Sequence, residues 1–336
     1  MSDFVLLLEV CIFSFLVALF IAPMLITFLR KQKAKQTIYS YVENHKIKQG
    51  TPTMGGLIFI FAITFASLVF FRKENTLGVF TIIVCSAFGL TGFLDDFIKV
   101  KYKQNLGLRA YQKFLFQFAI SIAIAIFAYN SNLVGSVLIV PFTTVSIDIG
   151  WWAIPLIIFV FVAITNSVNL TDGLDGLAGT CSLVVILAFF CIISIMRTFN
   201  LDGGGSYQMF YEYQNVLIVA SSSVGALMCF LLFNSYPAKI FMGDTGSLFL
   251  GALIGCLGIF TRLTLIIPIL CAVFVASTLS VIIQVLHFRR TKKRIFLMAP
   301  LHHHFEKKGV HEVKIVASYV IITTIIGLIS VLLMII

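Results

Sequence analysis

The chain has 336 residues, of which 60% are hydrophobic and only 11% charged. That balance excludes a soluble globular protein and identifies a polytopic membrane protein. The net charge of +10 does not indicate nucleic acid, because the basic residues fall in a few connections between apolar runs. The cysteines at 11, 85, 181, 191, 229, 256 and 271 lie inside those runs with no CxxC spacing, so they read as small packing residues.

Apolar runs long enough to cross the hydrocarbon core as helices recur along the chain, and ten are predicted. The first, 4–29, carries Asp3 and Glu9 near its start instead of a basic n-region, which reads as a retained helix and not a cleaved signal peptide. A connection with six basic residues ends in "KQGTPTMGG", Lys48 to Gly56, before the second run, 54–71. Glycines and hydroxyls before a helix start leave backbone N–H groups free for an anion, although an ordinary N-cap turn explains them equally well. The third run, 76–94, stops at "TGFLDDFIKV". On a helical continuation Asp95 and Asp96 share a face with Lys99. Adjacent carboxylates at a membrane boundary point to compensation by a cation or basic groups.

After the fourth run, 112–129, the segment 130–150 alternates in polarity and suggests a small hairpin. The fifth run, 151–168, leads into "NSVNLTDGLDGLAG", Asn166 to Gly179. Here Asp172 and Asp175 are spaced i,i+3 beside Asn169, with no basic residue in the loop. Such carboxylates suit a cation or a polar ligand better than stability. The sixth run, 177–196, is followed by a segment at 198–213 that reads as an outer loop, and then by the seventh run, 214–233. "NSYPAKIFMGDTGSLFLG" follows, with Asp244 in a glycine-flanked turn and Phe241 as a ring able to stack on a base. Capping of the next helix is the plain alternative for Asp244. The eighth and ninth runs are 246–261 and 263–286. Beyond them, "FRRTKKRIFL" resembles an interfacial helix. "APLHHHFEKKG" then places three adjacent histidines, suited to zinc or to phosphate and hydroxyl contacts, before the tenth run, 314–335.

Twenty of the 24 Lys and Arg residues fall on odd-numbered connections. By the positive-inside rule these face the cytoplasm, and both termini face out. All five polar clusters lie on the same odd connections. Carboxylates, lysines and glycine turns on one membrane face suit divalent-metal phosphate chemistry, which uses both signs of charge.

At "GTPTMGG", "DDFIK", "NLTDGLDGLA", "FNSYPAKIFMGDTGS" and "PLHHHFE" the chain resembles the phospho-N-acetylmuramoyl-pentapeptide transferase (MraY) family. These motifs occur in order from Gly50 to Glu306. The resemblance implies one all-α integral membrane domain over 1–336, with about ten transmembrane helices, in the bacterial plasma membrane. It implies Mg²⁺-dependent transfer of phospho-MurNAc-pentapeptide from UDP-MurNAc-pentapeptide to undecaprenyl phosphate, giving lipid I and UMP. By similarity, Asp95, Asp96 and Asp244 are catalytic, with Asp244 a Mg²⁺ ligand. Lys48, Thr53, Lys99, Lys113, Asn169, Asp172, Asp175, Asn234, Phe241, Gly243, His302 and His303 would contact substrate, Phe241 by stacking on uracil. Members of the family also form homodimers.

Direct attack by the lipid phosphate, with Asp95 or Asp96 taking its proton, is preferred over a phospho-aspartate intermediate, because the acceptor is already anionic. A relative that moves GlcNAc-1-phosphate would share the acidic motifs, but "TPTMGG" and "APLHHHFE" favour the MurNAc-pentapeptide reaction. A secondary transporter would carry its carboxylates at mid-span, whereas these lie at helix ends.

Overall fold

The computed structural model describes residues 3–32, 51–73, 75–102, 107–143, 145–202 and 207–334. Over these, the fold is a bundle of helices. Helix is the open-ended structure that satisfies every backbone polar group within its own segment, which the hydrocarbon core demands. Among the described residues nine helices are long and apolar enough to cross a membrane. They are α1 (Asp3–Lys31), α3 (Thr76–Tyr102), α4 (Ala110–Asn130), α5 (Ala153–Thr171), α6 (Leu177–Asp202), α7 (Tyr207–Asn234), α8 (Gly243–Phe260), α10 (Ala272–Thr291) and α12 (Glu312–Leu333). Helix α2 (Gly56–Phe70), at the place of the second expected span, is apolar but at 15 residues falls short of that length, so nine of the ten expected spans appear at full length among the described residues. The short helices α9 (Ile267–Leu270) and α11 (Leu301–Lys307) complete the set.

Helix α8 is the axis. Every residue from Thr245 to Phe260 is buried, and the helix packs chiefly against α3 and α5. Helix α7 packs against α1, α6 and α2. Hydroxyls join this second group: Ser14 Oγ donates to the Ser222 carbonyl at 2.7 Å, and the Ser67 and Ser222 hydroxyls lie 3.0 Å apart. Hydroxyl bonds between helices add to van der Waals packing where lipid supplies no hydrophobic drive. Helices α1, α10 and α12 bury only a stripe and expose residues such as Phe20, Phe28, Leu286 and Ile329, as lipid-facing helices do.

The two ends of the bundle differ. At one, Asp3 pairs with Arg197, joining the start of α1 to the last turns of α6, and the Arg197 guanidinium lies 4.0 Å from the centre of the Phe210 ring. Val331, near the end of α12, lines the same pocket as Asp3, so both ends of the described chain meet here. The buried Glu212 carboxylate accepts the N–H groups of Thr76 at 3.1 Å and Leu77 at 2.7 Å, which caps the electropositive start of α3. The alternating segment forms the expected hairpin, β1 (Val137–Ile139) antiparallel to β2 (Ser146–Asp148). The acidic motifs gather at the other end.

Four boundaries depart from the sequence reading. Helix α3 runs on to Tyr102, so Asp95 and Asp96 lie within it and not past its end. Lys99 and Lys101 in the last turn favour this extension. The expected outer loop at 198–213 is largely helical, since α6 runs to Asp202 and α7 starts at Tyr207. The ninth span is broken: a 3₁₀ turn at Thr264–Ile266 and α9 precede α10, with the break at Cys271. The expected separate interfacial helix is absent. Helix α10 carries Arg289 and Arg290 to Thr291, Lys292 turns left-handed (φ 59°), and the Gln284 side chain ties down the N–H groups of Ile295 and Phe296.

Candidate active site

The helices α3 and α8 meet where their glycines allow it. Gly92 lies so close to α8 that a Cβ there would sit 2.1 Å from the Asp244 carbonyl oxygen. Asp95 and Asp96 follow three and four residues later, one turn along the same face of α3. Gly243, in the left-handed region (φ 74°), turns the chain sharply into α8. A side chain there would meet Asp96 Oδ2 and Thr53 Oγ1. The backbone thus delivers Asp95, Asp96 and Asp244 to one place. One carboxylate oxygen from each lies within 4.8 Å of the others.

Each carboxylate is held separately. The buried Asp96 accepts from the Thr245 N–H at 3.0 Å and the Thr245 hydroxyl at 2.7 Å, so it serves as a cap for α8 donated from a neighbouring helix. Asp95 accepts from the Leu108 N–H at 2.8 Å and faces Lys99 at 2.5 Å. Asp244 is partly exposed. Its Oδ2 takes Lys99 at 3.1 Å and Lys113 at 2.9 Å, and its Oδ1 takes Asn169 Nδ2 at 2.8 Å. The amide of Asn169 also reaches the Ser247 hydroxyl at 2.8 Å, and its oxygen accepts from Lys113 at 3.3 Å. Three carboxylates thus face two ammonium groups across α3, α4 and α8, with Asn169 of α5 beside them. Removing any single member would leave a buried or half-buried charge uncompensated.

The remaining motifs pack around this centre. Burial and the charges of Asp244, Asp96 and Asp175 push the Asp172 carboxyl up to about 8, so near neutrality it carries a proton and can donate. Asp175 is buried and accepts from the Ala238 N–H at 3.0 Å, tying the α5–α6 connection to the α7–α8 connection. Asn234, the last residue of α7, donates through Nδ2 to the Ile240 carbonyl of the latter at 2.9 Å. The backbone of Phe241 is clamped by 52–55: its N–H donates to the Pro52 carbonyl and its carbonyl accepts from Gly55, each at 2.8 Å. Thr53 is buried beside Gly243. The imidazoles of His302 and His303 lie against Gly173, and burial lowers His302 to about 3, which keeps it neutral. His303 Nδ1 is 2.9 Å from Glu306. Lys48 lies outside the described residues.

The structure therefore brings Asp95, Asp96, Lys99, Lys113, Asn169 and Asp244 into direct contact, and holds Thr53, Asp172, Gly243, His302 and His303 around them. Asp175 and Phe241 lie in the adjoining connections, and Asn234 ends α7. Sequence reasoning missed Thr245, Ser247, Leu108 and Glu306. Glu306 alone was visible as the i,i+3 partner of His303; the others act through contacts between distant helices.

Three hard oxygen donors on one face of the cluster are the ligand set that Mg²⁺ or Mn²⁺ takes. With the two lysines they also form a surface for phosphate oxygens. Comparison with known proteins gives the family. Residues 78–262 match the glycosyl transferase family 4 profile, and residues 48–60 match phospho-N-acetylmuramoyl-pentapeptide-transferase signature 1. The chain is 43% identical over 319 residues to the phospho-N-acetylmuramoyl-pentapeptide-transferase of Clostridioides difficile (strain 630), covering 95% of this chain and 94% of that one. Against the enzyme of the same description from Clostridium novyi (strain NT) it is 44% identical over 321 residues, covering 94% and 93%. The corresponding protein of Desulfitobacterium hafniense (strain DSM 10664 / DCB-2) is 40% identical over 320 residues, covering 95% and 94%. With identity at this level along nearly the whole of each chain, and with the acidic motifs gathered into one cluster, the protein is a transferase that belongs to the phospho-N-acetylmuramoyl-pentapeptide-transferase family.

Proposed function

We propose that the protein transfers phospho-MurNAc-pentapeptide from UDP-MurNAc-pentapeptide to undecaprenyl phosphate at the cytoplasmic face of the bacterial plasma membrane. An oxygen of the lipid phosphate attacks the sugar-side phosphorus. The bond from that phosphorus to the bridging oxygen breaks, UMP leaves with the oxygen, and lipid I forms. The observation that carries this reading is the cluster of Asp95, Asp96 and Asp244 with Lys99 and Lys113, where acids and ammonium groups alternate within contact distance. The segregation of 20 of the 24 basic residues to one set of connections supports the membrane side.

Each residue of the cluster has a part. Lys99 and Lys113 neutralise diphosphate oxygens as charge shifts towards UMP. Asp95 or Asp96 takes the proton of a monoprotonated lipid phosphate. Asn169 orients Asp244 through Oδ1. Asp172, protonated near pH 7, is a donor towards an anionic or hydroxyl-bearing substrate, and Phe241 presents a ring for uracil. The carboxylate oxygens fit Mg²⁺; Asp244, with Asp95 or Asp96, would hold it. When bound, the ion supplies positive charge that stabilises the leaving phosphate.

The test is Mg²⁺-dependent UMP release by purified protein given both substrates, with D96N as the comparison. Release by the wild type, lost on chelation and reduced in D96N, is expected. Full activity in D96N would remove Asp96 from the chemistry, and no UMP from the wild type would overturn the reading.

A further inference from the structure

Helix α12 starts beside the site yet none of its residues has a part in the chemistry above. Its first residue, Glu312, is buried, and burying an acid there is justified only by the contacts it makes. Its Oε1 accepts the backbone N–H of Asp175 at 2.6 Å. Asp175 passes the constraint on, because its Oδ2 accepts the Ala238 N–H at 3.0 Å. One carboxylate therefore anchors the 172–175 turn, and through it the connection that carries Phe241.

Two further contacts from the same stretch point the same way. Gly173, two residues before Asp175, packs on His302 of α11 so closely that a Cβ there would sit 2.3 Å from His302 Nε2. The turn is thus pressed at Gly173 and held at Asp175. His311, the N-cap of α12, meets the Tyr236 ring edge-on at 5.5 Å, bracing the second connection from the same side. The left-handed Gly176 (φ 76°) follows the turn and leads it into α6.

We infer that Glu312 is a positioning residue that sets the nucleotide side of the site, by fixing the 172–175 turn and, through Asp175, the 236–241 connection. The inference rests on the proposed transferase reading. The bond Glu312 makes runs to Asp175 and, through it, to Ala238, both on the nucleotide side, so its loss reaches the nucleotide first. Loss of a charge-assisted hydrogen bond of this kind is expected to raise the nucleotide KM by about 10- to 100-fold.

The test is steady-state kinetics of E312M and E312Q with each substrate varied in turn, together with Tm. Met keeps the length and removes the acceptor; Gln keeps an acceptor oxygen. E312M is expected to raise the KM for UDP-MurNAc-pentapeptide at least tenfold. Its kcat and its KM for undecaprenyl phosphate should stay within about twofold, and E312Q should stay within about threefold of wild type throughout. If E312M cannot be obtained folded, E312S, too short to reach the amide, carries the same expectation. E312M kinetics equal to wild type would overturn the inference. So would a loss shared by kcat, both KM values and Tm, or E312Q failing as badly as E312M. A wild type that releases no UMP would instead bring down the transferase reading, and this inference with it.

Discussion

The packing of α3 on α8 offers a direct test of how the site is assembled. Gly92→Ala adds one methyl group whose position is set by the backbone, 2.1 Å from the Asp244 carbonyl oxygen, 2.4 Å from its carbon and 2.6 Å from the Thr245 nitrogen. All three atoms are backbone, so no side chain can swing away. Ordinary contact begins near 3.4 Å, and the α3–α8 seam must therefore open by about 1.3 Å. Overpacking of this kind costs roughly 1–3 kcal/mol of stability. The functional cost is larger, because Asp95 and Asp96 ride on α3 while Asp244 rides on α8. A misplacement of about 1 Å between reacting groups can lower a rate about 100-fold. Gly89→Ala is the control: three residues earlier on the same helix, its Cβ would find its nearest neighbours, Ile60 and Phe249 side chains, at 3.4 Å. Initial rates of UMP release should fall about 100-fold in G92A and less than threefold in G89A, at a temperature where thermal melting shows both folded. Equal activity in the two variants would refute the claim that the α3–α8 seam sets the carboxylate geometry.

Lys113→Met keeps the stem but removes the ammonium that Asp244 and Asn169 share. We expect kcat/KM to fall about 10²- to 10³-fold, whereas K101M, on the exposed end of α3, should change it less than threefold. The pH response of the site should follow Asp172. With its carboxyl near 8, it is neutral below that pH and gains negative charge above it, beside a substrate that is itself anionic. The KM for UDP-MurNAc-pentapeptide should therefore rise as pH passes from 7 to 9. D172N mimics the protonated form and should flatten that rise; a profile in D172N identical to wild type would assign it to another group.

Much of this protein was legible in the sequence because the membrane makes its demands locally. Hydrocarbon requires long apolar helices, and these appear as apolar runs whose charged connections alternate in number. The DDFIK, NLTDGLDG and GDTGS motifs also announced themselves, since carboxylates at the margins of apolar runs have few structural uses. Even the pairing of Lys99 with Asp95 followed from i,i+4 spacing. What the sequence could not supply was the partner of each group across the bundle. Lys113 meets Asp244 131 positions away, Asp96 caps a helix 149 positions away, and Glu312 holds an amide 137 positions back. Nothing local encodes these distances. The broken ninth span and the extension of α3 beyond Leu94 belong to the same class, because both depend on neighbours that a linear reading does not see. Composition and motif pointed to a multi-pass transferase with acidic motifs at the margins of its apolar runs. Only the tertiary structure decided which acids share one centre, because backbone approach at Gly92 and the turn at Gly243 are properties of helices packed together.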